Sequence, residues 1–174
     1  RKRRLAGVPV VAIAVAVALV PSAQARTLEL HWVEKTSPYG YPAMTFKVQS
    51  VTVTGAKWSV AASVTNRSKE TIKVTRGEKE TTAYRFGLLK PNPGPCHQST
   101  FGGCWHDPPI LLGAQSTKPQ FPSVLKPGAT WKGVISGVGN LPAKKSINVV
   151  FGYFVAPKLN PAGFPFVTTH TFEV

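Results

Sequence analysis

Acidic side chains are scarce in this chain. One aspartate, Asp107, and six glutamates stand against 21 lysines and arginines, and the formal charge at pH 7 is +14. A pair of carboxylates placed for general acid and base work is not evident. Glu29, Glu34 and Glu173 are scattered, while Glu70, Glu78 and Glu80 sit among basic neighbours near a predicted turn, where solvated pairs are expected. Cysteine is nearly missing too, with only Cys96 and Cys104. After Val20 no stretch carries an apolar period of 3.6 residues over a helical length, which argues against a helical domain. No Gly-x-Ser-x-Gly elbow, no His-Glu-x-x-His pair and no phosphate loop is present. The expectation is a protein that is not an enzyme and needs no cofactor or metal.

What is present begins with an export signal. Arg1-Lys2-Arg3-Arg4 precedes an apolar run from Leu5 to Val20, and Pro21-Ser22-Ala23-Gln24-Ala25 ends in a small-residue cleavage pattern. A membrane-spanning helix needs about 20 apolar residues. The run here is 16 residues, interrupted by Gly7 and Pro9, so residues 1–25 read as a signal peptide cut between Ala25 and Arg26. An uncleaved anchor is the alternative. The expected location is secreted or associated with the cell envelope, where cysteines are free to oxidise. The signal holds four of the 21 basic residues and none of the seven acids, so the rest keeps an excess of ten positive charges.

Strand-like alternation dominates the chain beyond the signal. Trp58, Val60, Ala62 and Val64 face one way, and Ser59, Ala61, Ser63 and Thr65 the other. Asn66-Arg67-Ser68-Lys69 supplies a turn, after which Ile72 and Val74 are expected to return as the partner strand of a hairpin. Phe46 and Val48 hold one phase and Val51 and Val53 the other, so a bulge is expected at Gln49-Ser50. Tyr84, Phe86 and Leu88 alternate with their neighbours. Lys126-Pro127-Gly128-Ala129 fits a type II turn, and Trp131, Gly133 and Ile135 come next on one face. Ile147 to Val155 is apolar on both faces from Val149 and reads as a central strand. Phe164, Phe166, Thr168, His170, Phe172 and Val174 continue one alternation to the end, which makes His170 a histidine at the core edge. The expected core includes Trp58, Val60, Val64, Tyr84, Phe86, Trp131, Val149, Phe151, Tyr153 and Phe172. Seven or eight short strands with turn signals between them predict an all-β antiparallel sandwich over residues 44–174, with a closed barrel as runner-up. Residues 26–43 are an N-terminal extension or edge strand.

Residues 90–109 form a long loop with five prolines and three glycines, and loops of that kind are functional or stapled. Cys96 and Cys104 lie inside it. In an exported chain a disulfide between them is expected, stabilising by roughly 2–3 kcal/mol in the chain-entropy model. A metal site using Cys96, His97, Cys104 and His106 is the sharper alternative, but the spacing matches no structural zinc pattern. The partner-binding candidates are Phe101 at the loop tip and Trp105 and His106 at its base, because aromatics on a rigid loop bind at low entropic cost. The competing reading folds Trp105 under the loop as a small satellite core.

The strand and turn Trp58 to Ser68, the Leu125-Lys126-Pro127-Gly128-Ala129 turn and the strand Ile147 to Val155 resemble the immunoglobulin-like accessory domains of secreted bacterial proteins. That resemblance covers Thr45 to Val155 and implies a sandwich used for binding or as a structural module at the cell envelope. No functional residue carries over from it. Asn66-Arg67-Ser68 is also a glycosylation sequon, expected to be unused in a bacterial protein. The basic residues are spread along the chain. They read either as a solvated face or as a field for an anionic cell-envelope polymer. Another secreted protein is the other partner class. Nucleic acid is not expected, since no aromatic-interleaved basic cluster occurs. The alternative function is a small inhibitor-like protein that presents the Cys96–Cys104 loop to a partner's cleft, because bacterial proteinase-inhibitor sandwiches share the turn pattern.

Overall fold

A computed structural model of the protein describes residues 24–36, 39–75, 86–92, 94–95, 97–98, 104–105 and 108–174, with the backbone alone at Gln98, Cys104 and Trp105. Residues 1–23, which hold most of the expected signal, and Tyr84 lie outside the described residues. The strands, in chain order, are β1 (Arg26–Lys35), β2 (Met44–Thr54), β3 (Lys57–Asn66), β4 (Ile72–Thr75), β5 (Gly87–Lys90), β6 (His97–Gln98), β7 (Cys104–Trp105), β8 (Ile110–Lys118), β9 (Val124–Leu125), β10 (Thr130–Val138), β11 (Ser146–Ala156), β12 (Asn160–Val167) and β13 (Phe172–Glu173). All pairings are antiparallel, and no helix occurs among the described residues.

Eleven strands form one open sheet along the path β1-β2-β3-β10-β8-β5-β11-β4-β9, with β12 and β13 also paired to β11. The expected seven or eight strands is therefore too few, and the ends of the path do not close into a barrel. Some of the surplus comes from strands of two to four residues that pair with β11 or β4. Another part comes from β8, whose side chains are exposed or half-buried throughout and carry no clean period of two. β8 serves two groups: Ile110–Gly113 pairs with β5, and Ala114–Lys118 pairs with β10.

Local sequence chemistry explains most elements. Gln49 is the extra residue between Val48 and Ser50 opposite β3, so Phe46 and Val48 on one side of the bulge and Val51 and Val53 on the other all reach the core. Gly128 takes φ +75 and Ala129 N–H donates to Lys126 O at 3.0 Å, the bond that closes a type II turn. β11 is central, flanked by β5, β4, β12 and β13. Val149, Val150 and Phe151 in succession are fully buried, so both of its faces are covered there.

The core joins strands that share no ladder. Phe46 of β2 is fully buried; its ring stacks on Phe166 of β12 with centroids 3.5 Å apart, and meets Phe151 and Phe154 of β11 edge-on at 5.2 and 5.5 Å. Burying a phenylalanine is worth roughly 1.5–3 kcal/mol before packing geometry adds to it.

Five expectations need correction. The hairpin of β3 with residues 72–75 does not form. β3 spends its edges on β2 and β10, and β4 pairs with β11 and β9 instead. The reason is Asn66, fully buried, whose Nδ2 donates to Glu70 O and Leu125 O, both at 2.8 Å, while its Oδ1 accepts from the N–H and hydroxyl of Ser68. Those bonds bind the turn to the start of β4 and to β9, leading the chain away from β3. Tyr153 is half-buried, outside the core, because Gly152 at φ +89 slips the phase of β11; Phe154 and Ala156 take the inward places and Tyr153 donates its hydroxyl to Ala162 O. His170 is exposed, since the chain bends at 168–171 between β12 and β13 and breaks the alternation. Glu70 is not a solvated partner of lysines. It accepts the N–H groups of Lys158 and Leu159 at 3.0 and 3.3 Å, holding the turn between β11 and β12. Phe86 is half-buried and packs at the core margin, against Phe121.

Candidate functional site

The loop singled out by the sequence leaves and rejoins the sheet at one point: Lys90 at the end of β5 and Ile110 at the start of β8 are cross-strand partners. Within it β6 and β7 pair, His97 with Trp105 and Gln98 with Cys104. Cys96, Phe101 and His106 lie outside the described residues, as do the side chains of Cys104 and Trp105. The expected disulfide, the four-residue metal alternative and the aromatic binding tip therefore all fall outside what the structure describes. At the other expected site, Ala25 is exposed and Arg26 opens β1, its guanidinium donating to Leu141 O at 2.9 Å.

The described carboxylates are partly absorbed by the fold. Glu34 accepts the N–H and hydroxyl of Thr169 at 3.1 and 3.0 Å, tying β1 to the bend before β13, as Glu70 ties the β11–β12 turn. Among the described residues no three His, Cys, Asp or Glu side chains gather as metal ligands would. His31 is exposed at φ +49, beside a register shift in β1.

A surface the sequence did not single out is assembled by register. β1, β2, β3, β10 and β8 lie side by side, and alternate residues point to opposite faces. One face is the core side of Val53, Trp58, Val60 and Ile135. The other carries a row in which each residue is the partner of the next: Thr27, Thr52, Ser59, Ser136 and Ser116, one hydroxyl from each of five strands. Both ends of the row are hydrogen-bonded, Thr27 with Thr52 at 3.0 Å and Ser116 with Ser136 at 2.9 Å. Farther along the same face, Thr65 and Thr130 share another such bond at 2.9 Å.

The same face collects lysines distant in sequence. Lys47 and Lys132 flank Ser63 from its two sides, Lys35 is the partner of Thr45, Lys118 of Val134, and Lys57 lies one step beyond Ser59 on β3. All five are exposed, and Glu29, the partner of Ser50, is the acid of this face. None of the five lysines has a carboxylate partner among the described residues. A shallow groove of ≈ 450 Å³ lies over the hydroxyl row, with Thr52, Thr54, Lys57, Ser59, Gln115 and Ser136 in its lining. Trp58, also in the lining, keeps Nε1 buried without a hydrogen-bond partner among the described residues.

Sequence reading passed over this surface because the lysines are dispersed along the chain. The usable signal was their phase. Lys47, Lys57 and Lys132 each occupy the outward place beside an inward apolar residue. Comparison with protein-family models, with curated proteins and with solved structures finds no match to this chain.

Proposed function

We propose that the protein is a non-catalytic binding module exported to the cell envelope, built as an immunoglobulin-like β-sandwich, and that it holds an anionic envelope polymer. The observation that carries this reading is the outer face of β1, β2, β3, β10 and β8, with five lysines that have no carboxylate partner among the described residues against one glutamate. A cationic face of that kind raises the local concentration of polyanions and costs nothing in core packing. Two features support a two-layer arrangement. β8 divides its pairing between β10 and β5, and the rings of β2 pack on those of β11 and β12 without a shared ladder. The basic and apolar segment ending at Ala25 supports export.

Sedimentation of the purified protein with isolated cell envelope tests the reading. Binding at low salt that fades as the Debye length falls from about 10 Å at 0.1 M to about 3 Å at 1 M is expected. Protein that stays in the supernatant at every salt concentration contradicts it.

A second reading has one observation in its favour. The segment between Lys90 and Ile110 closes on itself through the β6–β7 ladder, a suitable mount for a loop inserted into another protein's cleft. Binding through that loop would survive salt and fail in Cys96→Ser with Cys104→Ser, the opposite of the first pattern.

A further inference from the structure

We infer that the groove over the hydroxyl row binds an anionic glycan, with sugar hydroxyls on the serine and threonine side chains and acidic groups on the lysines. The inference rests on the proposed envelope-binding function and names the chemistry of its ligand.

Three observations carry it. The first is the row itself. Thr52, Ser59 and Ser136 bring hydroxyls to one line across adjacent strands, spaced by about 4.8 Å. A serine or threonine hydroxyl donates one hydrogen bond and accepts two, and sugar hydroxyls do the same, so each matches the other without a fixed polarity. A surface made for phosphate alone would need donors only.

The second observation is the groove. Gln115 sits at a register shift in β8, between the Ala114–Gly137 and Ser116–Ser136 pairs, and this extra residue contributes its amide to the lining. Lys57 stands at the same groove, next to Thr54 across the β2–β3 turn. Hydroxyl-bearing residues, Gln115 and Lys57 thus line one concave strip, with Val138 at its side.

The third is what the face carries and what it omits. Lys47, Lys118 and Lys132 surround the row's neighbours with uncompensated positive charge. Yet the paired residues of this face include no aromatic ring on which a nucleobase would stack. They include no long apolar side chain to enter a lipid layer, since its exposed apolar residues are valines such as Val33 and Val134. A polymer that is anionic and polyhydroxylated satisfies both the charge and the hydroxyl row.

The test uses the purified protein and polygalacturonate, a carboxylated glycan, with duplex DNA, phosphatidylglycerol vesicles and neutral dextran as comparisons. Binding to polygalacturonate and not to dextran is expected. Lys47→Glu with Lys132→Glu should weaken it by roughly tenfold or more, whereas Lys145→Glu with Lys158→Glu, an equal change of charge at the two ends of β11, should change it by less than about threefold. Ser59→Val with Ser136→Val should weaken glycan binding and leave any binding to DNA or vesicles unaltered. Ser59→Ala with Ser136→Ala serves if the valine pair does not fold, as judged by circular dichroism. Equal affinity for DNA or vesicles, with no effect of either serine pair, would overturn the inference in favour of a non-selective cationic surface. Binding to isolated envelope but not to polygalacturonate, unaffected by Lys47→Glu with Lys132→Glu, overturns the inference while the envelope function stands. No binding to envelope at all removes that function as well.

Discussion

The indole of Trp58 lies against the bare Cα of Gly137, its cross-strand partner on β10. A Cβ at Gly137 would sit 2.5 Å from Cζ2 and 2.8 Å from Cε2 of that ring, and 2.9 Å from Gly113 O. Trp58 is 2 % exposed and has no room to retreat. Gly137→Ala should therefore destabilise the protein by about 2–3 kcal/mol through overpacking, measured by urea unfolding followed by tryptophan fluorescence. Gly113→Ala is the control. A Cβ there meets nothing within 4 Å, so the change should be within about 0.5 kcal/mol of neutral or slightly stabilising. Equal losses at both positions would contradict the packing described.

Phe46 of β2 meets rings of β11 and β12, strands with which β2 shares no ladder. Phe46→Ala removes contacts to Phe151, Phe154 and Phe166 together and should cost about 3–5 kcal/mol in thermal or urea unfolding. Phe46→Leu should cost clearly less, because it refills part of the space. A surface-like effect below about 0.5 kcal/mol for the alanine variant would show that these strands do not meet there.

Asn66 uses both amide hydrogens and its carbonyl inside the protein. Asn66→Ala should cost about 2–4 kcal/mol, since it leaves Leu125 O and Glu70 O without that donor. Asn66→Asp should be at least as damaging. It keeps the acceptor for Ser68 but sets a carboxylate oxygen against two carbonyl oxygens. Burial of the same amide means that the folded protein carries no glycan at the Asn66-Arg67-Ser68 sequon, even from a host that glycosylates. A natively folded, glycosylated fraction in mass spectrometry would refute the burial.

Glu34 and Glu70 each hold a turn through backbone N–H groups. Glu70→Ala should expose the Lys158 and Leu159 amides to faster hydrogen exchange, with a global loss of only about 0.5–1.5 kcal/mol. Glu34→Ala should act in the same way on the Thr169 amide. Unchanged exchange at those amides would remove the carboxylates' role in holding the turns.

Much of the local structure was legible in the residues. The bulge at Gln49, the turn at Lys126–Ala129 and the centrality of β11 all rest on chemistry within a few positions: a change of phase, a proline before a glycine, an apolar run. The break at His170 and the slip at Gly152 were not legible. Each shifts the phase by a local bend, and one residue of slip sends every later side chain to the other face. β8 was silent because a strand shared between two groups buries neither of its faces well. The candidate surface was legible only residue by residue. Lys47, Lys118 and Lys132 are outward in their own strands, but no local pattern states that those strands are neighbours.

The alternation of this chain by itself determined that it forms strands, which side chains face inward wherever no slip or bend intervenes, and that the surface is strongly basic. Tertiary structure alone decided the partners. Backbone donors and acceptors are alike in every antiparallel strand, so period two accepts any neighbour. For β3 the choice fell to β2 and β10 over β4, through a short turn at Gly55-Ala56 on one side and the buried bonds of Asn66 on the other. Those pairings, made across tens of residues, turned dispersed lysines and hydroxyls into one face.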